Sequence, residues 1–274
     1  MTTPQLEVKG LSYSYHRNAH VLNGVDFCVN AGEKVAIMGA NGSGKSTFFL
    51  NVNGFLSPEH GEVWLGGLRI TKKNLGELRR RVGIVFQDAD NQIIASTVLG
   101  EVSFGPMNLK LPREEVVRRV EQALSYMDIS EYKDRPPHYL SGGEKKRVSI
   151  ADIIAMEPEI IIFDEPTAAL DPVSAGMLSE VLEKLSGEGK TILLSTHDVD
   201  FAYAWAERIG VFCEGKILAD DVPDAIFADE EVMSKAHLKK PIIWDVAELM
   251  KKKGWLSSED NPRDVKELSA MVAL

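Results

Sequence analysis

Three features of the sequence predict an α/β fold with a largely parallel central sheet. Short apolar strands alternate with amphipathic helical stretches along most of the chain. A glycine-rich loop stands between one such strand, Lys34–Met38, and a helix expected to begin at Lys45. A second apolar strand, Ile160–Phe163, runs directly into two adjacent carboxylates.

Taken in order, residues 6–15 alternate and read as a strand, and 25–29 as another, ended by a turn at Ala31-Gly32. Residues 62–65 and 82–86 are further strands. After Gln87 the pattern turns helical. Val116, Val120, Ala123, Leu124 and Met127 fall at helical spacing over 113–128, with Pro112 at the start. A helix from Ser141 to about 156 completes a helical insertion over roughly 88–157. Strands return at Ile160–Phe163 and Thr191–Ser195, with an amphipathic helix over 173–185 between them. Residues 210–220 read as a hairpin turning at Glu214-Gly215. Beyond Pro223 the pattern is helical, with Trp244, Val246, Leu249 and Met250 as expected buried positions.

The 274 residues are 44% hydrophobic and 26% charged, enough for a core without disulfides or metals. No apolar run approaches the ~18 residues of a membrane-spanning helix. The start, Met1-Thr-Thr-Pro-Gln, lacks the basic-then-apolar pattern of an export signal, so a cytoplasmic chain is expected. Cys28 and Cys213 read as two reduced, semi-buried thiols. The six histidines are scattered, and His16 and His20 read as solvated. The formal charge of −10 argues against nucleic acid or an anionic membrane surface as main partner, and leaves open a basic protein surface.

The run Gly39, Ala40, Asn41, Gly42, Ser43, Gly44, Lys45, Ser46, Thr47 has the phosphate-loop spacing. Glycines let successive backbone N–H groups curl round a phosphate, and the following helix points its positive end at the same anion. Lys45 adds a full charge for the β- and γ-phosphates, and the Ser46 hydroxyl is a hard ligand for Mg²⁺. Asp164 is placed to hold that cation and Glu165 to polarise an attacking water. Leu140-Ser141-Gly142-Gly143-Glu144 stands upstream of this acid pair.

With that third motif the sequence resembles the ATP-binding-cassette (ABC) ATPases, and the family's other marks occur in order over about residues 6–215. Tyr15 resembles the aromatic that stacks on adenine, Gln87 the switch-loop glutamine that senses Mg²⁺ and the γ-phosphate, Ala169-Leu170-Asp171 the loop that crosses the dimer interface, and His197 the switch histidine. The resemblance implies a P-loop NTPase (RecA-like) nucleotide-binding domain over 1–221, with an antiparallel β subdomain and a helical signature subdomain. A short helical extension, 222–274, reads either as a dimerisation element or as a helical cap on the cassette. ATP is the implied substrate, bound by Tyr15 and by 39–47, with Mg²⁺ held by Ser46, Gln87 and Asp164. Glu165, His197 and Gln87 are the implied catalytic residues. Ser141, Gly142, Gly143 and Glu144 would act on the nucleotide of a second ATPase subunit, identical or a paralogue, with Asp171 at the shared interface. Glu144 departs from the family's usual glutamine; it can accept from a ribose hydroxyl but not donate, so a tuned affinity is expected.

The stretch Gln87-Asp-Ala-Asp90-Asn-Gln92, then Thr97-Val98 and 101–106, resembles the ATPases of energy-coupling-factor importers. That implies integral membrane transport subunits, a peripheral position on the cytoplasmic face of the cell membrane, and cobalt or nickel as cargo, with vitamins the runner-up. Segment 88–106 carries Asp88, Asp90 and Glu101 and no Lys or Arg. In the family it forms a groove for arginine-bearing helices of the membrane subunit. The competing reading is a soluble ABC ATPase acting on ribosomes or DNA, disfavoured by the single uninterrupted cassette and the negative charge. A purely regulatory subunit is disfavoured by the intact Glu165.

Overall fold

The computed structural model describes residues 3–16, 20–168 and 170–272; Met1, Thr2 and Ala169, used above, lie outside them. Strands β1 (Leu6–Ser14) and β2 (His20–Val29) pair antiparallel, with Leu6 opposite Val29 and Val8 opposite Phe27. Their alternation buries Leu6, Val8, Leu11, Leu22, Val25, Phe27 and Val29 on one face. β2 starts five residues earlier than its apolar pattern suggested, because 20–24 pair with β1 even though Asn23 and Gly24 break the pattern. The same alternation leaves Cys28 on the outer face, exposed and not semi-buried as expected; Cys213 is half-buried, and both are free thiols.

β3 (Lys34–Met38) buries four residues in a row, the signature of a strand covered on both faces. It feeds α1 (Lys45–Val52). β4 (His60–Leu65) returns antiparallel to β1 and turns into the short β5 (Leu68–Arg69), giving a first sheet of order β2-β1-β4-β5. α2 (Leu75–Arg81) leads into β6 (Val82–Val85). Three helices then intervene before the next strand: α3 (Val98–Asn108), α4 (Arg113–Tyr126) and α5 (Gly142–Ala155). After them come β7 (Ile160–Phe163), α6 (Pro172–Gly187), β8 (Thr191–Ser195), α7 (Val199–Trp205), β9 (Arg208–Cys213) and β10 (Lys216–Asp221). The second sheet has the order β10-β9-β3-β8-β7-β6, parallel from β9 to β6 with β10 antiparallel at the edge.

α1 lies between the two sheets. Phe48 meets Phe27 of the first sheet edge-on at 5.6 Å and Phe212 of the second at 5.2 Å. Full burial of each such ring contributes ~1.5–3 kcal/mol. The helix carrying the phosphate loop is thus clamped on both sides, which fixes the loop in front of it.

The chain ends in α8 (Pro223–Ala228), α9 (Glu230–Lys235), α10 (Ile242–Lys252) and α11 (Val265–Val272). Trp244 of α10 meets Tyr203 edge-on at 5.8 Å, and Ala247 one turn later is buried. Leu249 is not buried as expected: it is 58% exposed. Five residues beyond Trp244 it stands about 140° round the helix, on the outer face. Among the described residues no helix is long and apolar enough to cross a membrane.

Candidate nucleotide-binding site

Four adjacent parallel strands, β3, β8, β7 and β6, deliver their carboxyl ends to one edge of the sheet. Ile37 lies beside Ser195, Leu194 beside Phe163, and Phe163 beside Val85. The residues that follow each strand become neighbours: Gly39 after β3, Thr196-His197 after β8, Asp164-Glu165 after β7, and Phe86-Gln87 after β6. This edge is where open α/β sheets bind ligands.

The phosphate loop needs its glycines here. Gly39 has φ 137°, and a Cβ on it would lie 2.2 Å from the Phe212 carbonyl oxygen, so no side chain fits. Gly44, at φ 111°, is the N-cap of α1. Lys45 is 5% exposed and donates to Gly39 O at 2.8 Å and Ala40 O at 3.1 Å. Its ammonium is 3.9 Å from Glu165 Oε1. Burial lowers the Lys45 pKa, while Glu165 and Asp164 oppose that shift. Ser46 stands exposed on the first turn of α1, and Tyr15 is 49% exposed with its hydroxyl 3.3 Å from Thr47 Oγ1. The Tyr15 ring is braced edge-on by Tyr13, centroids 5.1 Å apart.

The acid pair is held by a residue that the sequence reading passed over. Ser195, the last residue of β8, donates to Asp164 Oδ1 at 2.7 Å and accepts from Glu165 N at 2.8 Å. Its place was legible in principle, since β8 ends beside β7. Glu165 has φ 44°, a left-handed conformation that a non-glycine residue adopts at a cost of ~1–3 kcal/mol. Its Oε2 lies 2.5 Å from His197 Nε2, within hydrogen-bonding distance. Asp164, Glu165, His197 and Lys45 therefore form one cluster. Gln87 is exposed at the same sheet edge.

Ser141, Gly142, Gly143 and Glu144 do not join that cluster within one chain. They stand at the start of α5, and Ser141, Gly143 and Glu144, with Leu170, Ser174 and Lys184, line a separate cavity of about 350 Å³. Ser141 and Glu144 form a capping box: Ser141 Oγ accepts from Glu144 N at 3.3 Å and Glu144 Oε2 accepts from Ser141 N at 2.7 Å. That backbone bond, first among the causes, holds the Glu144 pKa below its usual value. The carboxylate that departs from the family pattern is turned back on its own helix. Asp171 caps α6, accepting from Val173 N at 2.9 Å and Ser174 N at 3.0 Å.

The segment expected to be an acidic groove needs correction. Glu101 is 2% exposed, and its Oε2 accepts from Ile94 N at 2.9 Å and Ala95 N at 2.6 Å. It folds a loop and presents no charge outward. Asp90 is exposed but pairs with Lys145 at 2.7 Å. Beside the exposed Asp88 and Asp90, the segment presents apolar side chains: Ile94, Leu99 and Phe104, continued by Met107.

The family model described as ABC transporter matches residues 22–168. An energy-coupling factor transporter ATP-binding protein, EcfA, of Methanocaldococcus jannaschii is 47% identical over 250 residues, 90% of each chain. A putative ABC transporter ATP-binding protein of Methanosarcina acetivorans is 48% identical over 92% of this chain and 78% of its own. Among solved structures, cbiO1 of Clostridium perfringens, described as part of the ABC transporter complex cbiONQ, superposes with a TM-score of 0.75 at 40% identity, covering 90% of this chain and 99% of that one. The dimeric cassette MJ0796 bound to ADP and Pi gives a TM-score of 0.72 at 31% identity, over 80% and 98%. A match over more than half of the chain, and relatives alike over nearly all of it, make this chain a member of the ABC transporter family and one of its ATP-hydrolysing subunits.

Proposed function

We propose that the chain is the ATP-hydrolysing subunit of an energy-coupling-factor importer, peripheral on the cytoplasmic face of the membrane, with cobalt or nickel as cargo. The observation that carries this reading is the 47% identity, over 90% of both chains, to a protein named as such a subunit. The likeness to cbiO1, described as part of an ABC transporter complex, supports the transporter role; the cargo rests on the resemblance of residues 87–106 alone. A vitamin is the second cargo within the same class.

In this reading the Lys45 ammonium exchanges the Gly39 and Ala40 carbonyls for the β- and γ-phosphates, and the N-terminus of α1 faces the same charge. Tyr15, open beside Thr47, offers its ring to the adenine. Glu165 polarises the attacking water and takes its proton; His197, within hydrogen-bonding distance, orients that carboxylate. The left-handed turn at Glu165 is fixed by Ser195, which accepts from its backbone N–H. The donor set suits a magnesium ion: the Ser46 hydroxyl, the Asp164 carboxylate and the Gln87 amide are all hard oxygens. When bound, the ion neutralises phosphate charge. The helix opened by Ser141–Gly143 lies apart from this chain's phosphate loop and would serve the nucleotide of a second subunit. The C-terminal extension, which leaves Ile242 and Leu249 of α10 and Trp255 just beyond it exposed, is a candidate surface for pairing the two. The membrane subunits would dock on the apolar side chains of 94–107.

The test is uptake of radioactive cobalt or nickel by cells lacking their own importers. The chain with its membrane subunits should restore it, and the same complex carrying Glu165→Gln should not. Restoration of vitamin uptake alone would move the cargo to the runner-up. Recovery of the active ATPase on ribosomes or DNA, with no uptake, would replace the importer reading.

A further inference from the structure

Three attachments bind the segment after β6 to α5, from Lys145 in its first turn to Asp152 near its end. Lys145 Nζ reaches Asp90 Oδ1 at 2.7 Å. Gln92 accepts from Phe86 N at 3.2 Å and donates to Ser149 O at 2.7 Å and Asp152 Oδ2 at 3.3 Å. Between them, Lys146 Nζ donates to Phe86 O and to Gln87 O, both at 2.7 Å.

The lysine is an odd choice for packing. Lys146 is 4% exposed, and burial pushes its ammonium down to about pKa 8, against the opposing charges of Asp164 and Asp88. Burying an ammonium is unfavourable unless donors meet acceptors, and here two carbonyl oxygens receive it. Those two carbonyls flank the Cα of Gln87, so holding both fixes the peptide planes on either side of the residue. Lys146 is also only five residues past Ser141, within the helix that Ser141 caps. The ammonium therefore joins two things with different destinations: Gln87, at this chain's own phosphate loop, and a helix N-terminus aimed elsewhere.

We propose that Lys146 is a positioning residue of the ATPase reaction: it clamps the main chain around Gln87 to the helix opened by Ser141, so that the glutamine serving this subunit's nucleotide and the signature segment serving the partner's move as one body. The proposal uses the two-subunit reading given above. A loss of the clamp leaves the phosphate loop, Tyr15 and the acid pair where they are, so it acts on turnover and on dimer closure, not on nucleotide capture.

The experiment compares Lys146→Met, which fills the space without donors, with Lys146→Arg, whose guanidinium can still reach two carbonyls. For the Met variant, kcat should fall about 10–100-fold, the scale of a misplaced active-site group, while KM for ATP changes by less than about twofold. In a Glu165→Gln background, where ATP should trap the dimer, Lys146→Met should reduce the dimer seen by size-exclusion chromatography. Arg should recover most of both. Wild-type kcat and trapping in the Met variant would overturn the proposal. So would a loss that follows only the unfolded fraction at the assay temperature, measured by circular dichroism, with Arg failing equally. If Glu165→Gln alone forms no ATP-dependent dimer, the two-subunit reading fails; the kcat-against-KM split and the Arg rescue then still decide whether Lys146 positions Gln87.

Discussion

Glu101 offers a sharp test because sequence and structure give it opposite roles. Its carboxylate is buried on the first turn of α3 and accepts from Ile94 N at 2.9 Å and Ala95 N at 2.6 Å. Glu101→Gln keeps an acceptor oxygen of the same shape and loses only the charge, so it should cost ~1–2 kcal/mol of stability. Glu101→Ala removes the acceptor and leaves two part-buried N–H groups unpaired, at up to ~1–3 kcal/mol each; access of the loop to water brings the expected total to ~3 kcal/mol. Glu101→Lys puts a cation against two N–H donors at a helix N-terminus and should cost ~3–5 kcal/mol or prevent folding. Urea unfolding followed by circular dichroism gives the three values. An Ala variant within ~0.5 kcal/mol of wild type, the range of ordinary surface changes, would refute the buried-acceptor account and restore Glu101 as a surface charge. The Gln variant should still assemble with membrane subunits, which separates folding from docking.

Three further outcomes are expected. Glu165→Gln should bind ATP normally but lose about 10²–10⁴-fold in kcat, the usual worth of a general base; phosphate-release kinetics at wild-type speed would remove Glu165 from that role. Tyr15→Ala should weaken ATP binding by ~1–3 kcal/mol in a fluorescent-nucleotide titration, while Tyr15→Phe loses only the hydroxyl contact with Thr47; equal affinity for the Ala variant would leave Tyr15 as a ring packed on Tyr13. Burial lifts the Asp152 carboxyl from 3.8 to about 7, with the Gln92 hydrogen bond opposing and Glu101 adding to the rise. The folded state thus holds a proton that the unfolded state has released, so this contribution to stability is full below pH 3.8 and is lost as pH rises through about 7. Asp152→Asn should abolish the loss and gain ~2 kcal/mol relative to wild type between pH 4 and pH 8, about half the full linkage value because the side chain keeps some solvent contact. Parallel urea curves for the two proteins at both pH values check it, and an unchanged difference would mean that Asp152 titrates as an ordinary surface acid.

The site was legible in the sequence to the extent that it hangs from strands. Lys34–Met38, Ile160–Phe163 and Thr191–Ser195 are short apolar runs that only a buried parallel sheet accommodates, and the reactive residues follow each run directly. Parallel order then does the assembling, which is why Lys45, Asp164, Glu165 and His197 meet although they are far apart in the chain. Apart from Ser195 on β8, the supports lie on helices, and there sequence shows a charge without showing which way it faces. Lys145 and Lys146 are adjacent and chemically identical, yet one step of about 100° round α5 sends the first outward to Asp90 and the second inward to the Gln87 carbonyl. Glu101 followed the same rule, since an acid in a segment without Lys or Arg reads as surface until α3 is seen to turn it inward. α3 fell within the expected helical insertion but without bounds of its own, because Gly100, Gly105 and Pro106 argue against a helix locally. Tertiary packing wanted the glycine, as a Cβ on Gly105 would lie 2.5 Å from Met156 Cγ. The local role of Glu144 was readable, because serine followed three residues later by glutamate is a capping box. A carboxylate already committed to its own helix N-terminus keeps that terminus ordered without a nucleotide present, and so prepares the signature segment for the phosphate it would meet.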